Sequence, residues 1–250
     1  MVEVLSIHIP KTAGTAFWEI LTQVYRSDQI YRDLDGQACE PNDPQLLKIK
    51  LLHSHYPLSK YLPYFPDAKK IVWLRHPIFR VISDYFFSQS FNDRNNPLHV
   101  QVVDQNLSLL EYAQLTEARN VMTAFTAELP LTEFYFVGIQ EFFTEDLLEL
   151  KRCLGWPKFH PVIENTNPNP NYFQQLRQIV LNPDLMAKIA DLNAQDMVLY
   201  ETALAMRAER LQQSLLLQVT LAEWDRLRQI VPDLSTPLAR STFSSRSSVR

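Results

Sequence analysis

Apolar positions fall into short continuous runs separated by helical stripes. Val2, Val4, Leu5, Ile7 and Ile9 form a run with the density of a strand buried on both faces of a parallel sheet. Pro10 stops that ladder because it has no N–H to give. Lys48 to His55 reads as a second strand ending in histidines. Tyr56-Pro57 then turns the chain, and Leu58, Tyr61, Leu62 and Phe65 suggest a short helix. Lys69 to Arg75 is a third strand, with Pro77 at the first position of the helix behind it. Glu133 to Ile139, rich in aromatic and β-branched residues, is a fourth.

The helical stripes fall between these runs. Phe17, Trp18, Ile20, Leu21 and Val24 define a helix from about Thr15 to Arg26, with Thr15 as its cap. Thr144 is placed to cap another, with Leu147, Leu148, Leu150 and Cys153 on its buried face and Gly155 at its end. Leu185, Ile189, Leu192, Asp196, Leu199, Tyr200 and Ala203 share a face from Pro183 to Arg210, and Gln212 to Ile230 continues the pattern. Residues 27–47, with Asp33, Asp35, Gly36, Pro41 and Pro44, read as a surface loop. Residues 88–130 interrupt the alternation with a turn-rich loop, Asn92 to Pro97, and helices near Leu107–Ala113 and Arg119–Ala127. Such an insertion is placed to choose an acceptor, and His99 within it reads as a surface residue. From Pro232 the Ser-, Pro- and Arg-rich composition cannot bury a core, so 232–250 reads as a disordered tail behind a single domain over 1–231.

The junction after the first strand carries the first candidate chemistry. In Ser6-Ile7-His8-Ile9-Pro10-Lys11-Thr12-Ala13-Gly14-Thr15-Ala16, a strand, a tight turn and a helix start follow one another. First-turn N–H groups and the helix dipole favour an anion there. Lys11 adds a positive charge, and Thr12 and Thr15 add hydroxyls. The ATP-type cradle G-x-x-x-x-G-K-[ST] is not met, because Lys11 precedes Gly14 by three residues and no upstream glycine exists. Arg75 ends the third strand, and Ser83 follows about two helical turns later. Arginine's fork of donors suits a phosphate dianion. Ligands of open parallel sheets collect at the carboxyl ends of strands; Lys11, His53 with His55, and Arg75 occupy three such ends.

Pro-Lys-Thr-Ala-Gly-Thr resembles the 5′-phosphosulfate loop of sulfotransferases that use 3′-phosphoadenosine 5′-phosphosulfate (PAPS). The fuller His-Ile-Pro-Lys-Thr-Ala-Gly-Thr looks most like the carbohydrate 2-O- and 6-O-sulfotransferases, heparan sulfate type, and their bacterial relatives. Arg75, Pro77, Arg80, Ser83 and Tyr85 are similar to that family's 3′-phosphate motif, R-x-P-x-x-R-x-x-S-x-Y. The resemblance spans roughly residues 3–205. It implies an α/β fold of the P-loop-containing nucleoside triphosphate hydrolase type: a central parallel sheet flanked by helices, with helical insertions and a helical C-terminus. It implies PAPS as donor, held by Lys11, Thr12, Ala13, Gly14, Thr15 and Ala16 at one end and by Arg75 and Ser83 at the other, with no metal. It further implies a hydroxyl-bearing acceptor, most plausibly a carbohydrate.

Sulfuryl transfer needs charge neutralised on the departing phosphate oxygen, which suits Lys11, and a group to take the acceptor's proton. Histidine titrates near neutrality. In relatives a His after the second strand has this role; His55 best matches their G-H-[FY] pattern, with Ser54 in place of Gly. His53 shares its face, and Asp33 or Asp35 are acidic alternatives. His8 and His76 read as structural, Arg80 as a brace, and Tyr85, Phe17 and Trp18 as packing residues. Glu141, in a Val-Gly-x-x-Glu turn also found in the family, reads as a packing and helix-start residue. Asn165, Thr166 and Asn167 are nucleotide-side candidates, and Asn193, Asp196, Tyr200 and Ala203 match the family's docking helix.

Bulk properties narrow the alternatives. A net charge of −4 and pI near 5.9 supply no overall basic field for nucleic acid. Two cysteines, Cys39 and Cys153, are too few for a disulfide framework. No apolar run approaches the ~18 residues of a membrane span. The early first strand, against the Golgi anchors of eukaryotic relatives, suggests a bacterial-type cytoplasmic protein. A P-loop nucleotide kinase and a nucleotide-binding module without turnover are the competing readings.

Overall fold

The computed structural model describes residues 2–34, 46, 48–90, 96–160 and 172–230, with side chains to residue 215 in the last helix. Asp35, Cys39, Asn165, Thr166, Asn167 and the tail from 232 lie outside the described residues. The chain divides into two compact units, Met1–Arg207 and Ala208–Arg250. Every candidate discussed below lies in the first.

Five strands form one parallel sheet: β1 (Val4–Ile7), β2 (Ile30–Asp33), β3 (Leu51–Ser54), β4 (Lys69–Leu74) and β5 (Phe136–Ile139). Their order is β2-β3-β1-β4-β5. Register pairs Ile7 with Ser54 on one side and with Val72 on the other. Strand order therefore reverses at β1 and β4, and the loops leaving these two neighbours open side by side. β2 corrects the surface-loop reading of 27–47. Ile-Tyr-Arg-Asp is too short and polar to read as a strand, but as an edge it needs only the β3 partner.

Helices cover both faces. Leu5, Ile7, Leu52, Val72, Leu74, Val137 and Ile139 pack on one side with Met122, Tyr200 and Ala203. Val4, Leu51, Ile71, Trp73 and Phe136 pack on the other with Phe17, Ile20 and Leu21 of α1 (Gly14–Val24). Gly138 is required here, because a Cβ would stand 2.4 Å from the Trp73 ring. A third cluster joins α2 (Pro77–Ser90), α3 (Pro97–Asp104), α4 (Leu109–Gln114), α7 (Tyr172–Val180) and α8 (Pro183–Leu192). The 88–130 insertion thus shares a core with α2, α7 and α8, while α5 (Val121–Thr126) packs in the first cluster against the sheet.

Several local expectations change. Thr144 does not cap α6 (Phe143–Leu154); Phe142 precedes it without a side-chain cap. Asp146 instead accepts from Ile139 N–H at 2.9 Å and from Arg207 at 2.7 Å, while Gly155 ends the helix in the left-handed region, φ 64°. Leu148 and Cys153 are exposed rather than on the buried face. The helix read from Pro183 to Arg210 is two, α8 and α9 (Ala194–Ile230), broken at Asn193. His99 is buried and edge-on to Phe87, not on the surface.

Candidate active site

The loop after β1 is shaped by two left-handed residues, Lys11 (φ 69°) and Ala13 (φ 70°). Ala13, not Thr15, is the residue before the helix, and no side chain caps it. The first-turn N–H groups of Gly14, Thr15 and Ala16 therefore face out of the turn without side-chain partners among the described residues, as an anion site requires. Thr12 is fully buried, and its hydroxyl donates to the Ile9 carbonyl at 2.9 Å. That proton is committed to shaping the loop, which corrects its reading as a free donor. Thr15 is exposed and its hydroxyl is unengaged among the described residues.

Lys11 Nζ has no hydrogen bond or ion pair among the described residues. It rests 3.8 Å over the Phe87 ring of α2. Burial lowers its pKa, Asp84 pulls the other way, and Arg75 adds to the lowering. An anion placed at the loop would reverse the main effect.

Arg75 leaves β4 and donates from one terminal nitrogen to the Lys11 carbonyl at 3.1 Å, tying the two strand ends together. Burial dominates its surroundings, with Tyr172 of α7 as a hydrogen-bond partner and Glu141 nearby. Ser83 is half-buried on α2, one turn before Phe87, and its hydroxyl is unengaged among the described residues. Arg80 is fully buried and donates to the Ala118 carbonyl (2.6 Å) and to Asp84 (3.3 Å). It braces the helix. Tyr85 is buried, and its hydroxyl donates to the Leu107 carbonyl at 2.9 Å. Asp84, Phe87 and Tyr172 escaped the sequence reading; Asp84 follows Ser83 inside the motif and Phe87 lies one turn on, whereas Tyr172 carries no local signal.

Beyond β1, on the other side, stand three imidazoles. His53 is buried against α1, with Nδ1 at 2.9 Å from Ser6 Oγ. His55 follows β3, its N–H bonded to the Asp33 carbonyl. His8, just past β1, stacks on His53 (ring centroids 4.9 Å) and meets His55 edge-on (3.9 Å). Nε2 of His55 is buried and has no partner among the described residues. Burial lowers the pKa of all three and Arg32 of β2 adds to it, with repulsion from neighbouring histidines lowering His8 and His53 further. For His55 the value falls to about 4, with Asp33 opposing.

Asp33 itself is fully buried, bound by Lys60 at 2.7 Å and by the Tyr61 hydroxyl. Tyr61 also meets Ser54 Oγ, so Ser54 and Asp33 belong to one structural network. His76 gives its N–H to Glu141 at 3.0 Å, and Tyr200 donates to the same carboxylate at 3.2 Å. Phe17 is core, against His53, Trp73 and Trp156. Trp18 is half-buried between His53 and the Arg32 guanidinium.

No protein-family description matches the sequence, and no curated protein does. Among solved structures, the chain is similar to a sulfotransferase from Alicyclobacillus acidocaldarius, with 17% identity and a TM-score of 0.34 over 77% of this chain and 95% of that one. It is also similar to mouse sulfotransferase SULT7A1 complexed with PAP, with 11% identity and a TM-score of 0.40 over 74% of this chain and 65% of that one. Neither likeness is close enough to carry a residue's role from one chain to the other. What this chain supplies by itself is a loop leading into an uncapped helix N-terminus, a half-buried arginine tied to that loop, and an imidazole of lowered pKa on its far side. No described helix is long and apolar enough to cross a membrane.

Proposed function

We propose that this chain transfers the sulfuryl group of PAPS to a hydroxyl of an acceptor, a carbohydrate or glycoconjugate being the class its motifs favour. The observation that carries the reading is the convergence at three adjacent carboxyl ends. β3 delivers His55, β1 delivers the Lys11 loop, and β4 delivers Arg75, bonded to that loop through the Lys11 carbonyl.

The roles follow from charge and position. The first-turn N–H groups of Gly14, Thr15 and Ala16, with the Thr15 hydroxyl, hold the 5′-phosphosulfate end; Thr12 and Ala13 set the loop's shape. Arg75 and Ser83 hold the 3′-phosphate. Lys11, held by no counter-ion, meets the charge that collects on the bridging oxygen as the sulfur–oxygen bond breaks in line. His55, half-buried at the end of β3, takes the hydroxyl proton while the acceptor oxygen bonds to sulfur. His53 has its Nδ1 at Ser6 and lies under α1, so it supports His55 rather than meeting substrate. PAPS is the donor this donor set fits, supplying a sulfuryl group already activated by its phosphate leaving group.

Transfer of labelled sulfuryl groups from PAPS to a panel of sugars tests the reading. Lys11→Ala and His55→Asn should each lower kcat by about 10²–10⁴-fold. Full activity in either variant would remove that residue from the mechanism, and no transfer to any hydroxyl would overturn the proposal.

A further inference from the structure

We propose that His8 is a positioning residue, wedged between Gly14 of the anion loop and the His55 ring, which fixes His55 and makes its setting depend on whether the loop is occupied. The inference rests on the function proposed above.

Two contacts carry it. A Cβ built on Gly14 would stand 1.7 Å from both Cδ2 and Nε2 of His8. The His8 ring therefore lies directly against the first residue of α1, where the N–H groups converge on an anion, and only glycine leaves room for it. The same ring meets His55 edge-on at 3.9 Å between centroids. Backbone bonding holds the wedge in place: His8 N–H donates to the Ser54 carbonyl at 2.6 Å, one residue before His55.

His8 is buried, and its Nδ1 has no partner among the described residues. A buried imidazole with an idle ring nitrogen is costly as packing alone. An apolar side chain of that size would fill the space without desolvating a polar atom. The groups facing the pair are His53 from β3, Arg32 and Asp33 from β2, and Lys11 from the loop. Apart from Asp33, whose carboxylate is bound by Lys60 and Tyr61, these groups oppose a proton: Arg32 on both rings, His53 and Lys11 on His8. An anion in the loop adds the missing negative charge on the Gly14 side. It therefore raises the proton affinity of His55 when donor is present to be used. Movement of the α1 N-terminus on binding is passed to His55 through the ring between them.

The test is nuclear magnetic resonance titration of His55, with and without 3′,5′-ADP, in the wild-type protein, His8→Gln and His8→Asn. In the wild type, 3′,5′-ADP should shift the His8 ring signals and raise the His55 midpoint. In both variants the unliganded His55 midpoint should rise from about 4 toward the ordinary 6.5, as the ring loses its buried setting. The rise caused by 3′,5′-ADP should shrink, while 3′,5′-ADP affinity stays within a few-fold. A purely structural His8 would lower the unfolding temperature and leave both midpoints where they are, which overturns the inference. If either variant fails to fold, the wild-type arm decides: unmoved His8 and His55 signals in a protein that binds 3′,5′-ADP overturn it. A wild type that does not bind 3′,5′-ADP instead overturns the proposed function.

Discussion

Gly14 shows how closely a single position can be specified. The His8 ring occupies the space a Cβ would need, so Gly14→Ala forces either ring or helix to move. The expected cost is about 1–3 kcal/mol, read as a lower urea midpoint, together with loss of 3′,5′-ADP binding. An unchanged midpoint would mean that the ring has room to retreat. His55 makes a prediction about pH. Its pKa of about 4 keeps the ring neutral through the physiological range, so it is available to accept a proton. Activity as kcat/KM for PAPS, which reports the unliganded enzyme, should therefore rise with pH through about 4 and stay level above it, rather than climbing near 6.5 as an ordinary imidazole would. An acid limb near 6.5 that disappears in His55→Asn would show a solvated, not a buried, base.

At the scale of elements, α9 is held to α5 by a carboxylate. Asp196 is fully buried and accepts from Met122 N–H (3.1 Å), Thr123 N–H (2.7 Å) and Thr123 Oγ1 (2.7 Å). Asp196→Ala leaves these donors without an acceptor at the start of a six-residue helix. A loss of about 3 kcal/mol is expected, measured by urea unfolding, and a loss below about 0.5 kcal/mol would contradict the docking role. This contact was legible as a pattern, since Asn193, Asp196, Tyr200 and Ala203 have helical spacing. Their partners were not, because residues 120–123 and 196 are joined only by the fold. The same contrast runs through the chain. Four strands could be read because both faces are apolar. β2 could not, because an edge strand carrying Tyr31, Arg32 and Asp33 has no apolar signature. The Lys11 loop and the Arg75 motif were legible as residue types at fixed spacing, whereas its cap was misplaced at Thr15, since nothing in the sequence announces a left-handed Ala13. Arg32 became visible as a neighbour of the histidines only when β2 was placed beside β3.

At the scale of the whole molecule, burial depresses the clustered His8, His53 and His55 and also His76, and these four should set its acid stability. Each binds a proton more readily in the unfolded chain, near 6.5, than in the fold. Their stabilising contribution is therefore complete above 6.5 and is lost as pH falls below it, down to about 4 for His55. Each such proton contributes up to about 1.4 kcal/mol per pH unit in that window. Urea midpoints measured across it should fall with pH, less steeply in His53→Gln; a flat profile would mean that these rings are solvated. At the same scale, the central claim is that Lys11 and Arg75 on neighbouring strands form one site for a nucleotide carrying both a 5′- and a 3′-phosphate. Calorimetric titration with 3′,5′-ADP, 5′-AMP and ATP, with and without magnesium, in the wild type and Arg75→Ala, tests it most directly. Preference for 3′,5′-ADP without magnesium, abolished in Arg75→Ala with 5′-AMP binding unchanged, is the predicted result. Tighter binding of ATP with magnesium, or equal binding of 3′,5′-ADP and 5′-AMP, would contradict the account.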